Sequence, residues 1–213
     1  MNSETRSTPV CNICGSRTFA SYRGRPAEQC TVCGAKARHR VALDVYRRYL
    51  FPMASGRPRI LHFAPERPLC PLLHDRFGAG YVTADMAPER YPHAQALRIR
   101  IPEDLAIFPG DYFEAIIHNH VLEHVPGHYG DHLTALLRII RPGGLMILSV
   151  PGPYMERTTV EGGESMASDA ERLEAFLQED HYKLFGSDFV RHLDTLPLAQ
   201  RLAADMAQID PEF

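Results

Sequence analysis

Two hydrophobic periods organise the chain. From Ala37 to Phe51, apolar side chains fall at Val41, Leu43, Val45, Tyr46, Tyr49 and Leu50, the spacing of a helix with one buried face. Beyond it, short β-rich runs alternate with helical ones. Arg59–Phe63, Tyr81–Asp85, Phe113–His118 and Leu145–Val150 read as strands, with a weaker one near Ala96–Ile101. Leu69–Phe77 and Tyr129–Ile140 read as helices, and Arg141-Pro142-Gly143-Gly144 as the turn before the last strand. Strands that alternate with helices predict an α/β fold, a doubly wound and mostly parallel sheet covered on both faces. Ligands of such sheets bind past the carboxyl ends of the strands, where strand order reverses. The positions to watch are therefore Ala64-Pro65-Glu66, Asp85-Met86, Asn119-His120 and Pro151-Gly152.

Three segments escape this alternation. Glu156–Asp169 is polar, carries glycines and lacks a period, so it reads as a mobile loop or lid. Asp194–Phe213 reads as helix and offers no strand pair. Residues 1–36 carry no period but hold four of the five cysteines.

Those four change the picture. Cys11-x2-Cys14 and Cys30-x2-Cys33 have the spacing of two zinc-ribbon knuckles, and Gly15 and Gly34 follow each pair where a knuckle needs positive φ. Four thiolates leave no open coordination position, so the expected metal is structural and its binding energy is folding energy. Zinc is the expected ion, and iron takes the same ligands. Cys70 stands apart as a bystander.

Composition sets limits on the rest. The 213 residues are 45% hydrophobic and 23% charged, enough for one ordinary core and a small appendage. No apolar run reaches the length of a membrane span, and the first ten residues lack a signal-peptide core, so a soluble, cytoplasmic protein with reduced thiols is expected. The expected boundaries are a ribbon over 1–36, a linking helix over 37–58 and a main domain over 59–213. The net charge of −3 divides unevenly: residues 1–60 hold eleven Lys/Arg against three acids, +8, leaving −11 for the remainder. A basic module beside an acidic domain suits either a polyanion such as RNA or docking of one part on the other.

The ordered set Leu61-His62-Phe63-Ala64-Pro65-Glu66, Asn119-His120-Val121-Leu122-Glu123-His124-Val125-Pro126, Arg141-Pro142-Gly143-Gly144 and Asp180-His181 resembles a type 11-like subgroup of class I S-adenosylmethionine-dependent methyltransferases that carries an N-terminal zinc ribbon. The similarity runs from about Cys11 to about Phe189. It implies an S-adenosylmethionine pocket with Phe63, Ala64, Pro65 and Glu66 at the amino-acid end of the cofactor. Asp85, with Met86, would sit at the ribose hydroxyls, Asp104 or Glu103 near the adenine, and Asn119 and His120 on the methionine side. Ala64 stands where the family's first motif uses glycine. The fold of the resemblance also ends in two further strands, which this chain lacks in sequence; an uncovered sheet edge would then suit a homodimer.

Methyl transfer needs alignment more than a nucleophile, and a general base helps where the acceptor is a hydroxyl or amine. The candidates are His181, foremost because it follows the fifth strand, then His120 and His124, with Tyr154 and Tyr182 shaping the acceptor pocket. A rival motif overlaps them: His120-Val121-Leu122-Glu123-His124 fits the H-x-x-E-H pattern of a metallopeptidase class. That chemistry requires both imidazoles on one face of a longer helix, and Pro126-Gly127 stops any helix too early. The leading expectation is methylation of a small molecule such as a sugar or secondary metabolite. The alternatives are an RNA methyltransferase gripping nucleic acid through the ribbon and a non-catalytic scaffold with a degenerate cofactor fold.

Overall fold

The computed structural model describes residues 10–152 and 154–196. Of the helix expected over Asp194–Phe213, residues 197–213 lie outside the described residues.

Two cysteine knuckles flank a hairpin of β1 (Phe19–Tyr22) and β2 (Arg25–Cys30). Arg23 and Gly24, at φ 49° and 81°, form its two-residue turn, both central residues left-handed as the twist of a tight hairpin favours. α1 (Ala37–Val45) continues without a break into a π turn over Tyr46–Leu50 and a 3-10 turn over Phe51–Gly56, so the linking helix is longer and less regular than its sequence period predicts.

The main sheet is parallel and five-stranded, assembled from β3 (Ile60–Phe63), β4 (Tyr81–Asp85), β5 (Leu97–Arg98), β6 (Phe113–Asn119) and β7 (Ile140–Ser149). Its spatial order is β5-β4-β3-β6-β7. The chain runs outward from β3 to β5, then returns to the far side of β3, so strand order reverses between β3 and β6. α2 (Cys70–Phe77) connects β3 to β4, and α3 (Tyr129–Ile139) connects β6 to β7.

Both faces are covered because adjacent strand residues point opposite ways. Ile60, Ala115 and Ile117 face α1 and α2, packing with Leu43, Tyr46, Leu50, Leu73 and Phe77. Leu61, Phe63 and Ile116 face the other layer, where α3 buries Leu133, Leu136 and Ile139. Each such aliphatic side chain contributes about 1.5–3 kcal/mol on burial.

Two readings are corrected. Arg141–Gly144 is not a free turn before the last strand but a bulge inside β7: Phe113 pairs with Ile140 and Ala115 with Leu145, so the extra residues loop out while pairing resumes on either side. The polar stretch Glu156–Asp169 is structured. It contains β8 (Val160–Glu161), paired antiparallel with β9 (Lys183–Leu184), and it ends at Ser168, whose side chain caps α4 (Asp169–Phe176). Thr159 also donates its backbone N–H and its hydroxyl to Asp188 at 2.7 and 2.9 Å, fixing this segment to α5 (Ser187–Thr195). The β8–β9 ladder stays separate from the main sheet, and among the described residues no strand pairs with the outer edge of β7. No described helix is long and apolar enough to cross a membrane.

Candidate functional site

A cleft of about 780 Å³ opens at the carboxyl ends of β3 and β6, where strand order reverses. That volume lies within the roughly 300–1,000 Å³ usual for cofactor and small-molecule sites. Its floor is Ala64, Pro65 and Glu66 after β3, with Asn119 and His120 after β6.

Two floor residues hold a backbone conformation that L-residues avoid: Ala64 has φ 49° and His120 φ 54°. Ala64 therefore takes the conformation of the glycine it replaces, without the hydrogen side chain.

Beneath the floor runs a polar network. Glu66 accepts from His62 Nε2 at 2.8 Å and from the Asn119 amide at 3.1 Å. The same amide donates to the Tyr46 hydroxyl at 2.7 Å. Asn119 Oδ1 accepts from the Ser149 hydroxyl at 3.1 Å, and His62 Nδ1 lies 2.7 Å from the Tyr81 hydroxyl. Burial pushes the Glu66 carboxyl up, but the hydrogen bond from His62 and the electrostatic pull of that ring outweigh it and hold the group below the usual carboxylate range.

The other walls escaped the sequence. The second knuckle supplies Gln29, Thr31, Cys33 and Gly34, and α1 supplies Arg38 and His39. Burial holds His39 at about 4, so it faces the cleft as a neutral imidazole. Arg90, Tyr91 and His93 come from the loop after β4, and His93 donates Nε2–H to the Pro65 carbonyl at 2.8 Å. The general rule that ligands meet the loops after strands would have pointed to this last group. Nothing in the ribbon's spacing pointed to the first. The rim carries exposed Arg38, Arg67 and Arg90 around one carboxylate, Glu66.

The remaining expected residues are distributed unevenly. Asp85 accepts the Ala87 N–H at 2.7 Å and stands against Tyr91, whose phenol is pushed to about 12 by burial and by that carboxylate. Tyr91, not Asp85, reaches the cleft lining. Met86 is exposed, and Phe63 is buried in the core below. Asp104 is away from the cleft, held to about 2 by a two-pronged pairing with Arg100 at 2.9 and 3.0 Å. Of the three histidines, only His120 lines the cleft; its Nδ1 lies 3.2 Å from Glu123 Oε1. His124 and His181 stack edge to face with centroids 4.8 Å apart, off the cleft wall.

The four ribbon sulfurs stand together with no disulfide between them: Cys11 lies 3.7 Å from Cys33 and Cys14 lies 3.6 Å from Cys30. Four sulfurs each about 2.3 Å from one zinc would stand roughly 3.8 Å apart, so the donor set fits that ion. The knuckles are built alike. Gly15 N–H donates to the Cys11 carbonyl at 2.8 Å and Gly34 N–H to the Cys30 carbonyl at 3.0 Å, with φ of 77° and 73° at the two glycines.

The chain is similar to known methyltransferases. Over 84 residues the chain is 37% identical to the ubiquinone biosynthesis O-methyltransferase of Cereibacter sphaeroides (strain ATCC 17025 / ATH 2.4.3), a match covering 35% of this chain. It spans only 33% of that relative's length. A solved S-adenosylmethionine-dependent methyltransferase from Archaeoglobus fulgidus superposes with a TM-score of 0.48 at 15% identity, covering 74% of this chain and 66% of that one. The sequence family described as "Methyltransferase domain" matches residues 32–193, from the second cysteine knuckle through the whole parallel sheet and into α5, and the chain belongs to that family.

Proposed function

We propose that this protein transfers the methyl group of S-adenosylmethionine to a small-molecule acceptor, with a zinc ion bound by Cys11, Cys14, Cys30 and Cys33 holding one wall of the cleft. The observation that carries the reading is the position of the cleft in a member of the methyltransferase domain family: it opens where β3 and β6 diverge, over Ala64 and Glu66.

The cofactor supplies an electrophilic methyl group on a sulfonium. Ala64 and Pro65 would present backbone to its amino-acid end, with Asn119 and His120 on the methionine side near the sulfonium. Tyr91, backed by Asp85, would serve the ribose. With His120 Nδ1 committed to Glu123, its Nε2 is the ring nitrogen left to take a proton from an acceptor hydroxyl or amine. His120 replaces His181 as the first candidate base, because His181 is buried away from the cleft wall.

An anionic or hydroxylated small molecule suits the arginine rim. RNA is the weaker reading, since the ribbon aromatics that would stack on bases are covered. Lys36 Nζ sits 4.0 Å over the Tyr22 ring and the Arg40 guanidinium 4.9 Å over Phe19. Arg40 is also spent on the Glu28 and Ala35 carbonyls.

Calorimetric titration with S-adenosylmethionine and S-adenosylhomocysteine tests the reading. Micromolar binding, weakened at least tenfold by Asn119→Ala, is the expected result. No heat from either ligand at millimolar concentration would leave only a scaffold role.

A further inference from the structure

Past the end of β6, the chain makes one 3-10 turn, Leu122–His124, and buries the Glu123 carboxylate to 1% exposure. One oxygen, Oε1, lies 3.2 Å from His120 Nδ1, while Oε2 has no hydrogen-bond partner among the described residues. A buried carboxylate oxygen without a donor is costly, and buried charges are normally paired or bound to metal. The nearest buried cation does not serve it, because Lys183 gives its ammonium to the Val125 carbonyl.

Two imidazoles stand beside this carboxylate. Glu123, His124 and His181 each offer one ligand atom, and these lie within 4.8 Å of one another. The elements are fixed to each other by backbone: Tyr182 N–H donates to the Glu123 carbonyl at 2.7 Å. His124 Nδ1 donates to the Asp180 carbonyl at 2.9 Å, which leaves the Nε2 lone pair free for a ligand bond. Metal-ligating histidines are oriented in just this manner by a carbonyl on the second ring nitrogen. His181 is 2% exposed and its Nε2 accepts from the Gln178 side-chain amide at 2.9 Å, a donor that a metal ion on that nitrogen would displace.

We infer that Glu123, His124 and His181 form a second metal site, distinct from the cysteine ribbon, that takes a divalent transition-metal cation. Two imidazoles and a carboxylate suit Zn²⁺ or its first-row neighbours. Ligand bonds of about 2.0–2.2 Å draw the widest pair inward; His124, with 37% of its side chain exposed, has room to move. The site is not that of a peptidase. His120 stays on Glu123 Oε1, and the second imidazole comes from the segment before β9 instead of from the H-x-x-E-H motif. Three protein ligands leave coordination positions open, unlike the closed set of four sulfurs. The metal site does not rest on the methyl-transfer reading.

The test is metal content on the full chain. Protein equilibrated with excess Zn²⁺ and passed into metal-free buffer is expected to hold two ions per chain, and one in Glu123→Gln and in His124→Ala. Glu123→Gln keeps the buried shape, and His124 is partly exposed, so both variants should fold. Co²⁺ added to chains whose ribbon already holds zinc is expected to give weak visible bands without the intense thiolate absorption, and none in the variants. One ion per wild-type chain at saturating Zn²⁺ would overturn the site, as would two ions retained in both variants. Cofactor binding measured alongside separates this outcome from failure of the methyl-transfer reading.

Discussion

Asn119 donates its side-chain amide to the Glu66 carboxylate at 3.1 Å, joining the ends of β6 and β3 across the point where strand order reverses. The cleft floor is thus a cross-linked surface, with Glu66 as its hub. Truncating Glu66 strands two donors, His62 Nε2 and the Asn119 amide. Each buried donor left without a partner costs about 1–3 kcal/mol. Glu66→Ala is expected to lower the denaturation midpoint sharply, and Glu66→Gln, which keeps an acceptor for one donor, to lose less than half as much. Equal losses in urea titrations of the two variants would mean that the charge, and not the acceptor, holds the floor.

Ala64 offers a cleaner perturbation, because its cost lies in the backbone. At φ 49° it pays the Cβ penalty that glycine escapes, about 1 kcal/mol. Ala64→Gly is expected to raise stability by up to about 1 kcal/mol, and Ala64→Val to reduce it by more than that. Thermal unfolding of the pair decides, and a stabilised valine variant would refute the strain.

The ribbon's second knuckle is part of the cleft wall, so metal loss should be felt by the cofactor. Cys33 and Gly34 lie on the lining, while Arg38 and His39 follow on α1. Removing zinc with a chelator under reducing conditions, or making Cys11→Ser, is expected to weaken S-adenosylhomocysteine binding at least tenfold. Restored affinity on adding Zn²⁺ back to the chelated wild type, but not to the variant, completes the test. Unchanged affinity in the apo protein would make the ribbon a separate appendage.

The sheet was legible because both its faces are buried. Ile60-Leu61 and Ala115-Ile116-Ile117 are apolar at every position, and the helices between them keep a 3.6 period that local composition displays directly. The cysteine knuckles were legible for a similar reason, since their spacing is local. What the sequence concealed is long-range. Gln29 and Cys33 share one cleft with Glu66, more than thirty positions away, and no local period signals that meeting. The bulge in β7 hid behind Pro142-Gly143-Gly144, which carries the composition of an ordinary turn; only pairing with β6 on both sides makes it strand. Glu156–Asp169 looked unstructured because its two-residue ladder is held by polar contacts, Thr159 to Asp188 among them, that leave no hydrophobic period. The resemblance names Asp104 as an adenine contact, yet its carboxylate is occupied by Arg100 four residues before it.

His118 supplies the strongest pH dependence. It sits in the middle of the sheet, fully buried, with neither ring nitrogen hydrogen-bonded among the described residues. Burial, with the nearby His62, pushes it down to about 3. The unfolded chain binds this proton below roughly pH 6.5, whereas the folded chain refuses it until about pH 3. Between those limits the unfolded state carries more protons, so stability falls as the pH drops and levels off below the folded value. Each pH unit of that window is worth about 1.4 kcal/mol per histidine. His118→Met fills similar volume and carries neither orphaned nitrogen. It is expected to raise stability near pH 5 by more than near pH 8, with His39 and His132, each held at about 4, leaving a residual slope. Denaturant melts of wild type and variant across pH 4.5–8 measure this difference, and parallel curves would show that His118 is protonated in the folded chain.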